Sequence, residues 1–358
     1  MSWNRYLICL LCVLGNQVLA AETSVLLPLG GSTEKAAENI RNGLLAGYYH
    51  DLSKGQFAKN PPVLRFYDTT SNKDINSLVQ QISTNSNKII GPLLKEHVAQ
   101  VLASPPSIPV LTLNRVNVLD YSTIWQFALA PEEEFAPLTQ LMQKEGIAKV
   151  KVISSNDNNS KRLQTGFEDA WLAKGGTLLE TYILSSNAKE QLEQQVKNLL
   201  TQSDNKSIEG FYLASPQFAQ QVVSLLNFYQ RNPVPIYSVS QAYDAEKSEL
   251  ERQDLNGLRF CGLPWVISPE KWVNQQKIRQ VISPDSSSYD SLLAFGADAW
   301  SISQQLKPAA TLDIAGRTGY LHISAGQVSR TPLCARVLHG KAQAVNSATG
   351  TTSRTDSL

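Results

Sequence analysis

The stretch from Lys88 to Arg115, KIIGPLLKEHVAQVLASPPSIPVLTLNR, constrains this chain more than any other. Ile89-Ile90 is a short apolar strand signal that stops at Gly91-Pro92, a pair that favours a turn and prevents a helix from continuing. Leu94, Val98, Val101 and Leu102 then recur at helical spacing, with Lys95, Glu96 and Gln100 between them. Pro105-Pro106 ends that helix, and Ile108 to Leu113 is a second apolar run, rich in β-branched residues, that leads into Asn114-Arg115. Strand, helix and strand in so few residues make a βαβ unit, and such a crossover almost always joins parallel strands. Ligands of open parallel sheets sit beyond the carboxyl ends of the strands. That singles out Gly91-Pro92-Leu93-Leu94 and Asn114-Arg115.

The same unit repeats along the chain. Ser24 to Leu29 reads as a strand ending at Gly30-Gly31, and Ser32 or Thr33 can cap a helix whose stripe is Ala36, Ala37, Ile40, Leu44 and Leu45. Val63 to Tyr67 is a strand ending in Asp68-Thr69-Thr70, followed by a short helix over Ile75 to Ile82. A strand over Ile124 to Leu129 then leads to Pro131 and to Glu132, Glu133 and Glu134. A helix's first turn explains these three acids more simply than a catalytic or metal cluster does.

A second βα series has strands at Lys149 to Ile153, Thr177 to Leu184, Ile208 to Leu213 and Pro235 to Val239. Its helices start near Lys161, Lys189 and Pro216. Leu258 to Val266, a helix from Tyr289 to Leu306, a hairpin around Gly316 and Gly319, and a strand from Thr331 to Val337 follow. The fold class is α/β, with two doubly wound parallel-sheet lobes. The expected division is a signal peptide at 1–20, lobe 1 from 22–122 with 266–323, lobe 2 from 123–265 with 324–339, and a disordered tail at 340–358. Crossings near Tyr121, Val266 and Ile323 imply a cleft that closes about a hinge.

The 358 residues are 42% hydrophobic and 18% charged, enough for two cores. A net charge of +1 supplies no electrostatic reason to bind nucleic acid or an anionic membrane. Arg5, the apolar core from Tyr6 to Leu14, and Val18-Leu19-Ala20 read as a cleavable secretory signal, too short to remain as a transmembrane segment. Cys9 and Cys12 follow Ile8 and Leu11, not the small residues lipidation needs, so no lipid anchor is expected. The expected location is the periplasm. Cys261 and Cys334 remain, either as a disulfide or as two buried thiols.

The candidate cleft residues are Ser32, Leu93, Leu94, Lys95, Asn114, Arg115 and Ser215. Pro92 removes an amide donor and Leu93-Leu94 add bulk, which argues against an ordinary amino-acid receptor. Lys95 and Arg115 can attract an anionic group, or be a solvated lysine and an arginine paired with an acid. Ser32-Thr33-Glu34-Lys35 matches S-x-x-K of penicillin-interacting enzymes, and Ser185-Ser186-Asn187 can be forced into the second motif of that set. No K-[ST]-G accompanies them, and capping explains Ser32 better, so no catalytic residue is assigned. His50, His97, His322 and His339 are not at ligand spacing. Asp157-Asn158-Asn159 lacks the glycine and terminal glutamate of a calcium loop, and no Gly-rich phosphate loop follows a strand. No metal or cofactor is expected.

Several segments together resemble a known family: LLPLGG at Leu26 to Gly31, the helix with Gly43 and Ala46, YDTT at Tyr67 to Thr70, IIGPLLK at Ile89 to Lys95, and VLTLNR at Val110 to Arg115. FALAPEEE at Phe127 to Glu134, YDSLLAFGADAW at Tyr289 to Trp300 and the segment Gly316 to Ser324 complete the set. Their order and spacing resemble the C-terminal domain of the LppC/LpoA family, activators of class A penicillin-binding proteins, from about Val25 to about Leu338. The resemblance implies a type I periplasmic-binding-protein fold that binds and stimulates a bifunctional peptidoglycan synthase without catalysis of its own. The sequence departs from the family in starting its fold just after the signal, without a helical-repeat domain, and in lacking a lipobox. Activation is expected to survive these departures, with reach across the periplasm altered. The alternative reading is a solute receptor with a small ligand in the cleft.

Overall fold

The structure is a computed structural model that describes residues 22–57, 60–117, 123–185, 189–202, 207–230, 232–282, 290–307, 311–324 and 326–345. The expected signal peptide, Ser186-Asn187 and Tyr289 lie outside the described residues. In chain order, β1 (Glu22–Leu27), α1 (Glu34–Ser53), β2 (Val63–Asp68), α2 (Ile75–Ser83), β3 (Ser86–Ile90), α3 (Lys95–Ala103), β4 (Val110–Thr112) and β5 (Ile124–Gln126) build the first lobe. The second contains α4 (Glu132–Lys144), β6 (Lys149–Ser155), α5 (Asn158–Ala173), β7 (Thr177–Leu178), β8 (Tyr182–Leu184) and α6 (Lys189–Thr201). It continues with β9 (Gly210–Leu213), α7 (Ala219–Tyr229), β10 (Ile236–Ser238) and β11 (Leu258–Gly262). The chain then returns through α8 (Pro264–Ile267) to α9 (Val273–Ile282), α10 (Asp290–Ser303), β12 (Leu312–Ala315), β13 (Tyr320–Ser324) and β14 (Gln327–Thr331) of the first lobe. It ends in β15 (Leu333–Leu338) and β16 (Lys341–Ala344) of the second.

The first sheet runs β2-β1-β3-β4-β5-β14-β13-β12, parallel from β2 through β14 and antiparallel after it. The second runs β7-β6-β9-β10-β11-β15-β16, with β8 also on β6, and turns antiparallel at β15. Each sheet is covered on both faces. Leu27, Ile40, Phe127, Phe295 and Trp300 form one face of the first lobe, and Leu26, Val79, Val98 and Ile124 the other. In the second lobe Leu192, Phe211 and Val222 oppose Phe135, Phe167 and Tyr212. Strands buried on both sides read as the continuous apolar runs from which parallel strands were expected.

Three boundaries differ from expectation. Ile124–Gln126 hydrogen-bonds to β4, so the first crossing falls at Ala128–Pro131 and not near Tyr121. The second falls at Leu263-Pro264, close to the expected Val266. The apolar run from Leu258 to Val266 divides at Leu263, where α8 begins. The run from Thr331 to Val337 is not one strand. Pro332 cannot donate to a ladder, and the chain leaves the first sheet there for the second. Gln327–Thr331 therefore sits with lobe 1. Thr177 to Leu184 likewise divides into β7 and β8. In the expected tail, Lys341–Ala344 pairs antiparallel with β15. Positive φ at both His339 and Gly340 provides the tight hairpin turn, a signal that composition alone hides. Residues 346–358 lie outside the described residues.

Cys261 and Cys334 lie opposite each other on β11 and β15 and are joined by a disulfide, with S–S 1.99 Å and a sequence separation of 73. Closing a loop of that length removes about 4 kcal/mol of chain entropy from the unfolded state. Denaturation of Cys261→Ala/Cys334→Ala should show a loss of that order. An unchanged midpoint would show that the sheet alone holds these strands.

Candidate functional site

Each sheet reverses its strand order at one point, beside β1 and β3 in the first lobe and beside β6 and β9 in the second. Those crevices are where ligands of such sheets bind. The second is occupied by the chain's own side chains, and beside the first a cluster lies over the carboxyl ends of β1 and its edge neighbour β2. In that cluster, the Leu29 amide donates to Asp68 Oδ1 (2.9 Å) and the Gly30 amide to Thr70 Oγ1 (2.8 Å), while Thr70 Oγ1 donates to Asp68 Oδ1 (2.6 Å). The Gly91 amide donates to Leu111 O at 2.8 Å, and Pro92 has none to offer. Gly91 turns at φ 105°, where a Cβ would lie 2.2 Å from Leu26 O, so only glycine fits.

The second crevice repeats the device. Ser155 Oγ and Ser160 Oγ each donate to Asp157 Oδ2 at 2.6 Å, and Gln217 Nε2 donates to the same oxygen at 2.9 Å. Asp157 also caps α5 by accepting from the Ser160 amide at 2.9 Å. The hydroxyls of Thr70, for Asp68, and of Ser155 and Ser160, for Asp157, hold both carboxyls below their ordinary range. A carboxylate of the chain thus lies at the switch point of the second sheet, and another beside β1 in the first.

The residues expected in the cleft are distributed differently from one another. Ser32 is exposed in a 3-10 turn, Thr33 takes the cap position of α1, and neither side chain makes a capping bond. Leu93 is half-buried against the first core, and its carbonyl accepts from Asn114 Nδ2 at 3.0 Å. Leu94 caps α3 through its backbone, and Lys95 is exposed at the first position of that helix. Ser215 is fully buried, 2.9 Å from Ser155 Oγ and 3.0 Å from Ser160 Oγ, so it supports Asp157 and does not face the cleft.

Arg115 is engaged at the joint. Its guanidinium donates to Glu133 Oε1 at 3.0 Å and to Val328 O at 2.8 Å. Arg330, on β14, donates to Glu133 Oε2 at 3.1 Å, to Thr318 O and to Ala130 O. Glu133 therefore ties the start of α4, in the second lobe, to the loop after β4 and to β14 of the first. Its neighbours point elsewhere. Glu132 takes both oxygens to Arg162 at 2.6 and 2.8 Å. Burial raises its pKa, but the Arg162 bonds, helped by Lys95 from the first lobe, bring it below the ordinary value. Glu134 is buried, accepting from the Ser240 amide at 2.7 Å and from Ser240 Oγ at 2.6 Å. The acids do open a helix, as expected, and each also has a separate partner that spacing alone cannot reveal.

Burial pushes the Glu134 pKa up to about 7, against the Ser240 hydrogen bonds. A carboxyl with a raised folded pKa binds more protons folded than unfolded. Its contribution to stability is therefore fully present below the ordinary carboxyl range and is lost as pH rises toward 7. Thermal midpoints of Glu134→Gln should vary less between about pH 4.5 and 7 than those of the parent. Parallel curves would show that another group carries the dependence.

Sequence reasoning missed the crevice carboxylates as site residues, although Asp157 three residues before Ser160 is a capping signal. Among the described residues no three His, Cys, Asp or Glu side chains form a metal-holding cluster, and no helix is long and apolar enough to cross a membrane.

Comparison with known proteins agrees with this architecture. The chain is 28% identical over 317 residues to the penicillin-binding protein activator LpoA of Glaesserella parasuis, covering 87% of this chain and 51% of that protein. It spans about half the length of the curated relatives it matches. The LpoA (YraM) C-domain from Haemophilus influenzae, described as a regulator of PBP1A, superposes with a TM-score of 0.69 at 22% identity, over 91% of this chain and all of that one. The branched-chain amino acid transporter substrate-binding protein LivJ of Streptococcus pneumoniae, in complex with isoleucine, superposes at 0.56 with 12% identity, over 91% of this chain and 99% of that one. Both share the fold of two α/β lobes. Residues 11–331 match the model of the family described as "LppC putative lipoprotein". The chain belongs to the LppC family.

Proposed function

We propose that this chain is a non-enzymatic periplasmic regulator that activates a class A penicillin-binding protein through a surface contact. Family membership supports the reading, together with relatives named as activators. The observation that supports it in the structure is Asp157, a carboxylate of the chain held at the second switch point by residues that follow both β6 and β9. A carboxylate ligand there would have to displace a carboxylate already hydrogen-bonded, which favours a protein contact over the solute-receptor alternative. The N-terminal signal supports export, and the absence of a small residue before Cys9 or Cys12 supports release without a lipid.

The test uses the chain from Ala21 as bait in detergent-solubilised envelope, with glycan polymerisation assayed on any synthase recovered. Recovery of a class A synthase together with faster polymerisation or crosslinking is expected. No synthase and no change in rate, where an activator from a relative works, would overturn the reading.

A further inference from the structure

A cavity of about 670 Å³ opens beside two of the crossings, at Pro264 and Pro332, along the C-terminal half of α4, and shares no residue with the two crevices. That volume is typical of small-molecule sites. Its walls come from both lobes: Leu141 on α4 and Leu333 on β15 from the second, Tyr320 on β13 from the first, and Trp272 just beyond α8. The Trp272 ring is held in place, with the Arg317 guanidinium 5.4 Å from its centre and Trp265 at 6.5 Å. Arg317 is in turn fixed by the fully buried Asp298 at 2.9 Å. The Trp272 indole N–H is a buried donor without an acceptor.

The charge around this cavity is one-sided. Lys144 and Lys271 line it, and among the described residues neither ammonium group has an ion-pair or side-chain hydrogen-bond partner. The acid in the lining, Glu145, is already neutralised by Arg259 at 2.7 Å and accepts from the Tyr237 hydroxyl. An apolar, pre-formed hollow with unpaired cations at its edge complements a molecule with an apolar body and one anionic end.

We propose that this hollow binds a small anionic amphiphile, an alkyl or aromatic body carrying one carboxylate or phosphate. Because the ligand would touch both lobes, its binding stabilises their present arrangement. The proposal is independent of the synthase contact, since it is read on the isolated chain.

The test is calorimetric titration of the full chain with dodecanoate and with dodecyl phosphate, both below their micelle concentrations, and with dodecyltrimethylammonium as the cationic counterpart. Saturable binding of at least one anion, no binding of the cation, and a rise in thermal midpoint with the anion are expected. Preference for one head group supports the site and assigns the source of the anion. Lys144→Glu/Lys271→Glu alters two exposed side chains and should weaken the anion at least tenfold. Tyr320→Ala, at a residue 53% exposed, should weaken it at least fivefold, with the ligand-free midpoint unchanged in both variants. Absence of saturable binding, equal binding of the cation, or wild-type affinity in the double variant would overturn the proposal.

Discussion

Gly43→Val should leave the first lobe unable to fold. Helices α1 and α10 cross at Gly43 and Gly296. A Cβ on Gly43 would stand 2.1 Å from the Leu293 carbonyl oxygen, and one on Gly296 2.1 Å from that of Ile40. The obstruction is backbone, which cannot rotate away as a side-chain tip would, so the helices must separate. Separation would disturb Leu44, Phe295 and Trp300, all in the first core. Overpacking of a filled core costs about 1–3 kcal/mol when neighbours can adjust, and more is expected here because they cannot. Soluble yield and the urea midpoint measure it, with Gly43→Ala giving a smaller loss in the same direction. A parent-like midpoint for Gly43→Val would mean that the helices lie farther apart than described.

Glu133→Ala should cost about 3 kcal/mol, and Glu132→Ala, one residue away, less than about 1 kcal/mol. The difference lies in what each removal leaves behind. The Arg330 side chain is only 1% exposed, and without Glu133 its charge remains buried with two carbonyls as its sole acceptors. Arg162 and Glu132 are about half exposed, and water replaces the lost partner. Chemical denaturation of the two variants provides the comparison, and a double-mutant cycle of Glu133 with Arg330 isolates the pair. Equal losses at the two positions would show that helix-start electrostatics alone account for the run of acids. Because Glu133 spans the joint, its loss should also loosen the lobes relative to each other, which small-angle scattering would detect.

The repeating βαβ pattern was legible because parallel strands buried on both faces must be apolar throughout, and Gly91-Pro92 and Pro105-Pro106 mark their limits. Arg115 shows where legibility ended. Its place at a strand end was readable, whereas its partner Glu133 lies 18 residues on and also holds Arg330, 197 residues farther along. Ser215 shows the same limit from the other side. It does end a strand, but its hydroxyl turns into a buried serine cluster around Asp157. The boundary errors at Ile124 and Thr331 arose because short strands next to the crossings carry no local marker of which sheet they join.

By itself the sequence determined element order, strand polarity and family, all properties of local pattern and of contiguous motifs. Only the tertiary structure decided that Asp157 fills the second switch point, that three adjacent acids have three separate partners, and that an apolar hollow lies beside the joint. The physical reason is that hydrogen bonds, ion pairs and cavities depend on distances between atoms remote in the chain. Those distances exist only once the two sheets have packed.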